Sequence, residues 1–265
     1  MYNYIGSGGN TNRMTRAYGK DVAYYQGAID PAINEIAEDF MIVRSGYGGV
    51  QDKKFFEYYH LSLLNPVRGI YHYHSSALDW KAEADHYLRL VQGKNYHFNV
   101  LDLERPHNVV GKSWVKGAGQ WLEYVKYFTG KPTLYYTNID VYENVLSLYA
   151  DWLHSYNLWI AQYAATRWIP WLNTVPTDER KQPRLPKGAT EYRLWQFSAD
   201  GNKRGKAAGV QSRDIDLDVY NGSLDDVKAW LRIDQQPEPE PAPKSIEERV
   251  SSLEHRLDSH IETHD

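Results

Sequence analysis

The sequence predicts an α/β fold: an irregular, TIM-like (β/α) barrel with a helix-poor last third, followed by a short C-terminal amphipathic helix. Three observations predict it. Strand-like and helix-like stretches alternate from residue 19 to residue 149, the pattern of consecutive βα units around a parallel sheet. The run Phe98-Asn-Val-Leu-Asp-Leu-Glu104 is apolar on both faces until its end, where Asp102 and Glu104 fall on one side. A parallel barrel strand is covered on both faces and delivers its polar groups at the C-terminal end. Finally, the strand-like runs Tyr192–Phe197 and Ile215–Tyr220 have no convincing helix between them.

The elements follow in order. Residues 19–24 read as a strand that Asp21 opens, and Gln26-Gly27 as a turn. Ile33–Ala37 suits a short helix and Phe40–Arg44 a buried strand. Asp52 is placed to cap a helix to about Leu64, with Phe55, Phe56, Tyr59 and Leu63 near helical spacing. Gly69–His74 is the third strand, and Ala77–Val91 a helix carrying Leu78, Ala82, Ala84, Tyr87 and Leu90. After the 98–104 strand comes a helix over Trp114–Phe128, stopped by Gly130. Pro132–Tyr136 and Leu158–Tyr163 are strands five and six, with a helix over Val141–Tyr149 between them. The two late strands make eight, and Asp225–Leu231 forms a closing helix.

This divides the chain into an N-terminal arm (1–17), a barrel (18–233), a linker (234–244) and a terminal helix (245–265). The 265 residues are 42% hydrophobic, enough for one large core. The net charge of −4 is concentrated at the C-terminus: residues 235–265 hold eight acids against three bases, which leaves the rest near neutral. No basic patch argues for nucleic acid, and no apolar run approaches membrane-spanning length. There is no cysteine, so disulfides and thiolate metal sites are excluded. Met1–Ala17 lacks the pattern of a secretory signal. In the tail, Pro237–Pro243 reads as a semi-rigid spacer. Ser245 and Glu248 form a capping box, and Ile246, Val250, Leu253 and Leu257 a two-heptad seam, marginal as a lone helix and suited either to self-association as a homo-oligomer or to docking on a partner, the alternative being a frayed terminal helix.

The chemistry lies in the acids. In Asp214-Ile-Asp-Leu-Asp-Val219 the aspartates share one face and the aliphatics the other. In a closed barrel the aliphatic face meets the outside, which turns the aspartates toward the lumen and its mouth. Asp21, Asp102, Glu104 and Asp216 converging on one mouth would repel, keeping at least one carboxyl protonated near neutral pH.

Eight motifs in order then resemble glycoside hydrolase family 25, the Chalaropsis-type lysozymes that include phage endolysins. They are Asp21-Val-Ala-Tyr-Tyr-Gln-Gly27, Phe40–Gly48, Gly69-Ile-Tyr-His-Tyr73, Leu101-Asp-Leu-Glu104, Leu134-Tyr-Tyr-Thr137, Leu158–Tyr163, Leu194-Trp-Gln-Phe-Ser198 and Ile215–Tyr220. The resemblance implies an N-acetylmuramidase cleaving the β-1,4 bond between N-acetylmuramic acid and N-acetylglucosamine in bacterial peptidoglycan, without cofactor. It implies Glu104 as general acid, Asp102 as the carboxylate that orients the substrate's own acetamido group, and Asp21 and Asp216 as flanking acids. Ala23 stands where the family often has Ser and Asp218 where Asn is frequent; Arg44 is shared with Lys.

Tyr73, Tyr136, Tyr163 and Trp195, at strand ends, are candidates to stack on or hydrogen-bond to sugars, with Arg44 beside them. His72 and His74 share one face of strand three, but without a third ligand at recognisable spacing they read as core or rim histidines and no metal is expected. The pair His260 and His264 reads as a surface accident. Two other readings stay open: another acetamido-sugar hydrolase of chitinase type, and a non-catalytic wall-binding or virion structural barrel. The expected setting is a phage-encoded lysin, made in the host cytoplasm and acting on the wall, or a secreted enzyme.

Overall fold

In the computed structural model, residues 16–33, 39–75, 77–104, 111–163 and 182–233 are described. The expected helix at 33–37, the arm up to residue 15, the linker and the terminal helix, with its oligomerisation seam, lie outside the described residues.

Among the described residues nine strands form one sheet: β1 (Arg16–Val22), β2 (Phe40–Tyr47), β3 (Val50–Gln51), β4 (Val67–Tyr73), β5 (Phe98–Asp102), β6 (Thr133–Asn138), β7 (Asn157–Ala161), β8 (Leu194–Ser198) and β9 (Asp216–Ser223). Their order is β1-β9-β8-β7-β6-β5-β4-β2-β3, and β1 also pairs with β2, so eight strands close a barrel. β3 is a short hairpin appended to β2, missed in the sequence because two residues carry no periodicity. Six pairings are parallel. β9 runs antiparallel to both neighbours, β1 and β8.

The helices are α1 (Phe55–Ser62), α2 (Trp80–Val91), α3 (Lys112–Thr129), the short turns α4 (Ile139–Val141) and α5 (Ser147–Tyr149) flanking a π-helical Tyr142–Leu146, and α6 (Leu224–Leu231). Asp79 caps α2 by accepting from the Lys81 and Ala82 amides, and Gly130 ends α3 in the left-handed region. Between β8 and β9 there are only 3₁₀ turns at Gly201–Lys203 and Gly205–Ala208; the helix-poor last third is present among the described residues.

Two cores follow from strand alternation. The lumen is filled by Phe40, Ile42, Phe98, Val100, Leu134, Trp159 and Leu194, among others, and α6 closes its lower end with Val227 buried and Trp230 packed alongside. Trp230 lies 6.1 Å from Phe98 and stacks on Tyr220. Gly19 and Gly69 are required in this layer: a Cβ on either would sit within 2.4 Å of the Phe40 or Phe98 ring. The outer core holds Val43, Ile70, Leu101 and Leu103 against Tyr58, Tyr87 and Trp121 of the helices.

Two expectations change. β1 begins at Arg16, with Ala17 fully buried in the lumen, so the barrel takes two residues from the arm. Asp21 therefore lies near the C-terminal end of β1 rather than opening it. Asp52 accepts from the Lys54 amide just before α1, but the assigned cap, Lys54, makes no side-chain bond. The Asp52 carboxylate is taken up by Arg44 instead.

Candidate active site

The upper end of the barrel opens into a cavity of about 320 Å³. β5 supplies its floor, because alternation turns Phe98 and Val100 into the lumen core and Asp102, then Glu104, into the cavity. Asp102 is in register with Tyr73 on β4 and Tyr136 on β6, so one acid stands between two tyrosines that also line the cavity. Across the barrel, Asp21 on β1 pairs with Asp216 on β9, and both line the same cavity. The antiparallel direction of β9 explains this: the N-terminal end of that strand lies beside the C-terminal ends of the others.

The acids lie close enough for the charge of each to bear on the others. Burial pushes Asp21 up to about 6, against the pull of Gln196 Nε2, which donates to its Oδ2 at 2.7 Å. Burial, then the charges of Glu104 and Asp21, raise Asp102 well above the usual carboxylate range. Burial raises Glu104, partly offset by a hydrogen bond with Tyr136. Asp216 is raised by burial and by Asp21 and Glu104. Burial and mutual repulsion thus favour the protonated form across this cluster, the setting in which one carboxyl serves as proton donor beside a carboxylate.

Polar partners fix the rest. Tyr136 and Tyr163 hydroxyls donate to Gln196 Oε1 at 2.8 and 2.9 Å, so one glutamine ties two cavity tyrosines to Asp21. Arg44 sits over the rings of Tyr24 and Tyr25, held by Asp52 Oδ2 at 2.7 Å from both Nε and Nη2. Tyr73 lies 5.3 Å from Tyr47, which is half exposed at the hairpin.

Of the nine residues predicted for the site, eight line the cavity: Glu104, Asp102, Asp21, Asp216, Tyr73, Tyr136, Tyr163 and Arg44. Trp195 does not. It is buried in the outer core, where its Nε1 donates to the Gln162 carbonyl. Strand parity is the reason: on β8 Leu194, Gln196 and Ser198 share the inner face, which turns Trp195 out. Gln196 was missed, though the same parity identifies it. Gln26, Tyr71 and Trp159 also line the cavity and were missed. Among the described residues, no group of three His, Cys, Asp or Glu is arranged to hold a metal. His72 and His74 are buried behind β4, where His74 Nδ1 meets Glu83 Oε2 at 2.5 Å.

None of the curated proteins matches the chain in sequence. Solved structures do match in fold. A family 25 glycosyl hydrolase from Bacillus anthracis superposes with a TM-score of 0.63 at 20% identity, covering 86% of this chain and 99% of that one. A bacterial lysozyme from Streptomyces coelicolor gives 0.65 at 19% identity, over 82% and 97%. A muramidase from Trichobolus zukalii gives 0.63 at 21%, over 82% and 99%. The sequence pattern described as Glycosyl hydrolases family 25 matches residues 20–206, which includes Asp21 and the Asp102–Glu104 strand, and on that match the chain belongs to glycosyl hydrolases family 25 as a glycoside hydrolase of the lysozyme type.

Proposed function

We propose that this protein is an N-acetylmuramidase that cleaves the β-1,4 bond between N-acetylmuramic acid and N-acetylglucosamine in bacterial peptidoglycan. The observation that carries the reading is the meeting of Asp102 and Glu104 with Asp21 and Asp216 around one cavity, in a chain of family 25.

In this reading Glu104 protonates the glycosidic oxygen as the bond breaks. It is raised by burial, as a general acid working near neutral pH must be. Asp102 precedes it by two residues on the same face, so the two backbones are only about 6.5–7 Å apart. Both carboxyls then approach a sugar from one side, which disfavours attack by Asp102 on the opposite face. The substrate's own 2-acetamido oxygen is the better nucleophile, with Asp102 orienting its N–H. Asp21 and Asp216 supply negative charge that stabilises the oxocarbenium-like transition state. Tyr73, Tyr136, Tyr163 and Arg44 line the walls against which the sugar rings rest.

Mass spectrometry of digested peptidoglycan tests the proposal. New reducing ends on muramic acid are expected. Reducing ends on glucosamine would overturn the bond assignment, and release from chitin alone would move the enzyme to another acetamido-sugar class.

A further inference from the structure

Asp218, two residues beyond Asp216, is a buried acid near the site that the proposed reaction leaves without work. It is fully buried and does not line the cavity. Its Oδ1 accepts from Trp159 Nε1 at 2.9 Å. Its Oδ2 is also buried, and among the described residues no donor reaches it. A buried carboxylate oxygen without a donor is costly.

The register explains what it meets. Asp218 stands opposite Gly19 in the β1–β9 pair, and Asp21 stands opposite Asp216. Asp21 is thus its diagonal neighbour on the same face, within reach of a side chain that finds only glycine directly across. The carboxyl groups of Asp21 and Asp218 therefore face one another across the strand pair, and each bears on the other. Two ionised carboxylates so placed would repel and leave Asp218 Oδ2 unsatisfied; a proton on one of them removes both penalties. Asp21 faces the open cavity and takes the Gln196 amide as well as the field of Arg44. Asp218 is cut off from solvent and faces the charges of Asp21 and Asp216. The proton belongs on Asp218.

We propose that Asp218 stands protonated beneath the cavity and donates a hydrogen bond to the Asp21 carboxylate, so that the two form an acid pair sharing one proton and Asp218 is a positioning residue for Asp21. In this arrangement Gln196 and Asp218 hold Asp21 from two sides, fixing its carboxylate toward the cavity. Asp216 directly across the strand pair, Asp102, Glu104 and Arg44 are the other charged groups that bear on Asp21. The kinetic consequences rest on the muramidase reading; the shared proton does not.

The experiment has a spectroscopic and a kinetic arm. In the infrared difference spectrum between the native protein and Asp218→Asn at neutral pH, the carbonyl stretch of one protonated carboxylic acid should disappear. No such band would mean that Asp218 is ionised, and the proposal would fall. In the kinetic arm, Asp218→Leu should lower kcat about tenfold or more through misplacement of Asp21, with KM changed less than about twofold. Asp218→Asn, whose amide donates the same bond while its carbonyl still accepts from Trp159, should recover most of that loss. Its pH profile should lack the alkaline ionisation of the pair. An Asn variant as impaired as the Leu variant, or a Leu variant with native kcat and pH profile, would overturn the assignment. Should the Leu variant not fold, the infrared band and the Asn pH profile still decide. A native protein that releases no reducing ends from peptidoglycan would defeat the muramidase reading and leave the infrared test intact.

Discussion

Asp21 and Asp216 are direct partners across the β1–β9 pair, where the last strand runs antiparallel to the first. That pairing closes the barrel and brings acids 195 positions apart in sequence to one cavity. It sets them across the lumen from Asp102 and Glu104, so the charge of each bears on the others.

Glu104→Gln is the most direct trial of the acid. The amide keeps the size and loses the proton, so kcat is expected to fall by about 10²–10⁴-fold with the melting temperature little changed. Turbidity clearing of purified walls and a thermal melt measure both. Unchanged wall lysis would favour a non-catalytic wall-binding barrel.

Tyr136→Phe separates two effects of one hydroxyl. The single hydroxyl proton of Tyr136 lies between Gln196 Oε1, to which it donates, and the Glu104 carboxyl, which the hydroxyl lowers while burial raises it, so without the hydroxyl the acid holds its proton more tightly. The alkaline limb of the rate profile should move to higher pH. The Gln196 contact is lost as well, and kcat should drop by about tenfold, in line with loss of one oriented hydrogen bond. An alkaline limb that stays in place or moves down would contradict the role given to Tyr136.

The acid cluster costs stability, and the sign is definite. Asp21 is raised from 3.8 to about 6, so its contribution is fully present below pH 3.8 and is lost as pH rises through about 6. That rise alone corresponds to about 3 kcal/mol. Asp102 is raised as well and its Oδ1 has no partner among the described residues. Asp102→Asn is therefore expected to be more stable than the native protein at neutral pH, by about 2–4 °C for each kcal/mol recovered, and nearly inactive. Denaturant unfolding across this pH range measures it; a loss of stability at neutral pH would show that the raised acid is not what strains the site.

Behind the site, Glu83 works in the opposite direction. Burial pushes its carboxyl up, but hydrogen bonds from His72 and His74 outweigh that and hold it at about 2. Its contribution is present above the usual 4.5 and is lost as pH falls through about 2. It also accepts from the Ser75 amide at 2.8 Å, and the His74 amide donates to the Asp102 carbonyl at 3.0 Å. This clasp fixes the upper end of β4 against β5. Glu83→Gln should lose about 1–3 kcal/mol, the usual result of weakening hydrogen bonds to a buried charged group, read by chemical denaturation at neutral pH. A loss below about 1 kcal/mol would deny the clasp its role.

How much of this was legible in the sequence follows from strand parity. Wherever a strand was long and its two faces differed in chemistry, the inward residues were identified: Asp102 and Glu104 against Leu101 and Leu103, Asp216 against Leu217. The parallel strand series and the bare β8–β9 connection came from the same reading. What escaped was set by three-dimensional contact. The direction of β9 leaves no mark on its alternation, since a strand and its reverse have the same period. Gln196 stands between two aromatics that dominate the eye, and its link to Asp21 spans 175 positions. Asp52 looked like a helix cap because local spacing cannot show that Arg44 competes for it.

Trp195 and Tyr163 provide the test of that parity argument. Both were expected at the sugar, and they lie on opposite faces: Tyr163 lines the cavity, half exposed, with its hydroxyl on Gln196, whereas Trp195 is buried against Phe197 with its N–H on a backbone carbonyl. Trp195→Phe should cost stability, about 1–3 kcal/mol from the unsatisfied Gln162 carbonyl and the lost ring area, and leave KM unchanged. Tyr163→Ala should do the reverse, raising KM for soluble glycan fragments several-fold, as expected for loss of a sugar-facing ring, with little change in melting temperature. Steady-state kinetics and thermal melts on the two variants separate the faces, and a KM effect at Trp195 as large as that at Tyr163 would place the tryptophan in the binding wall after all.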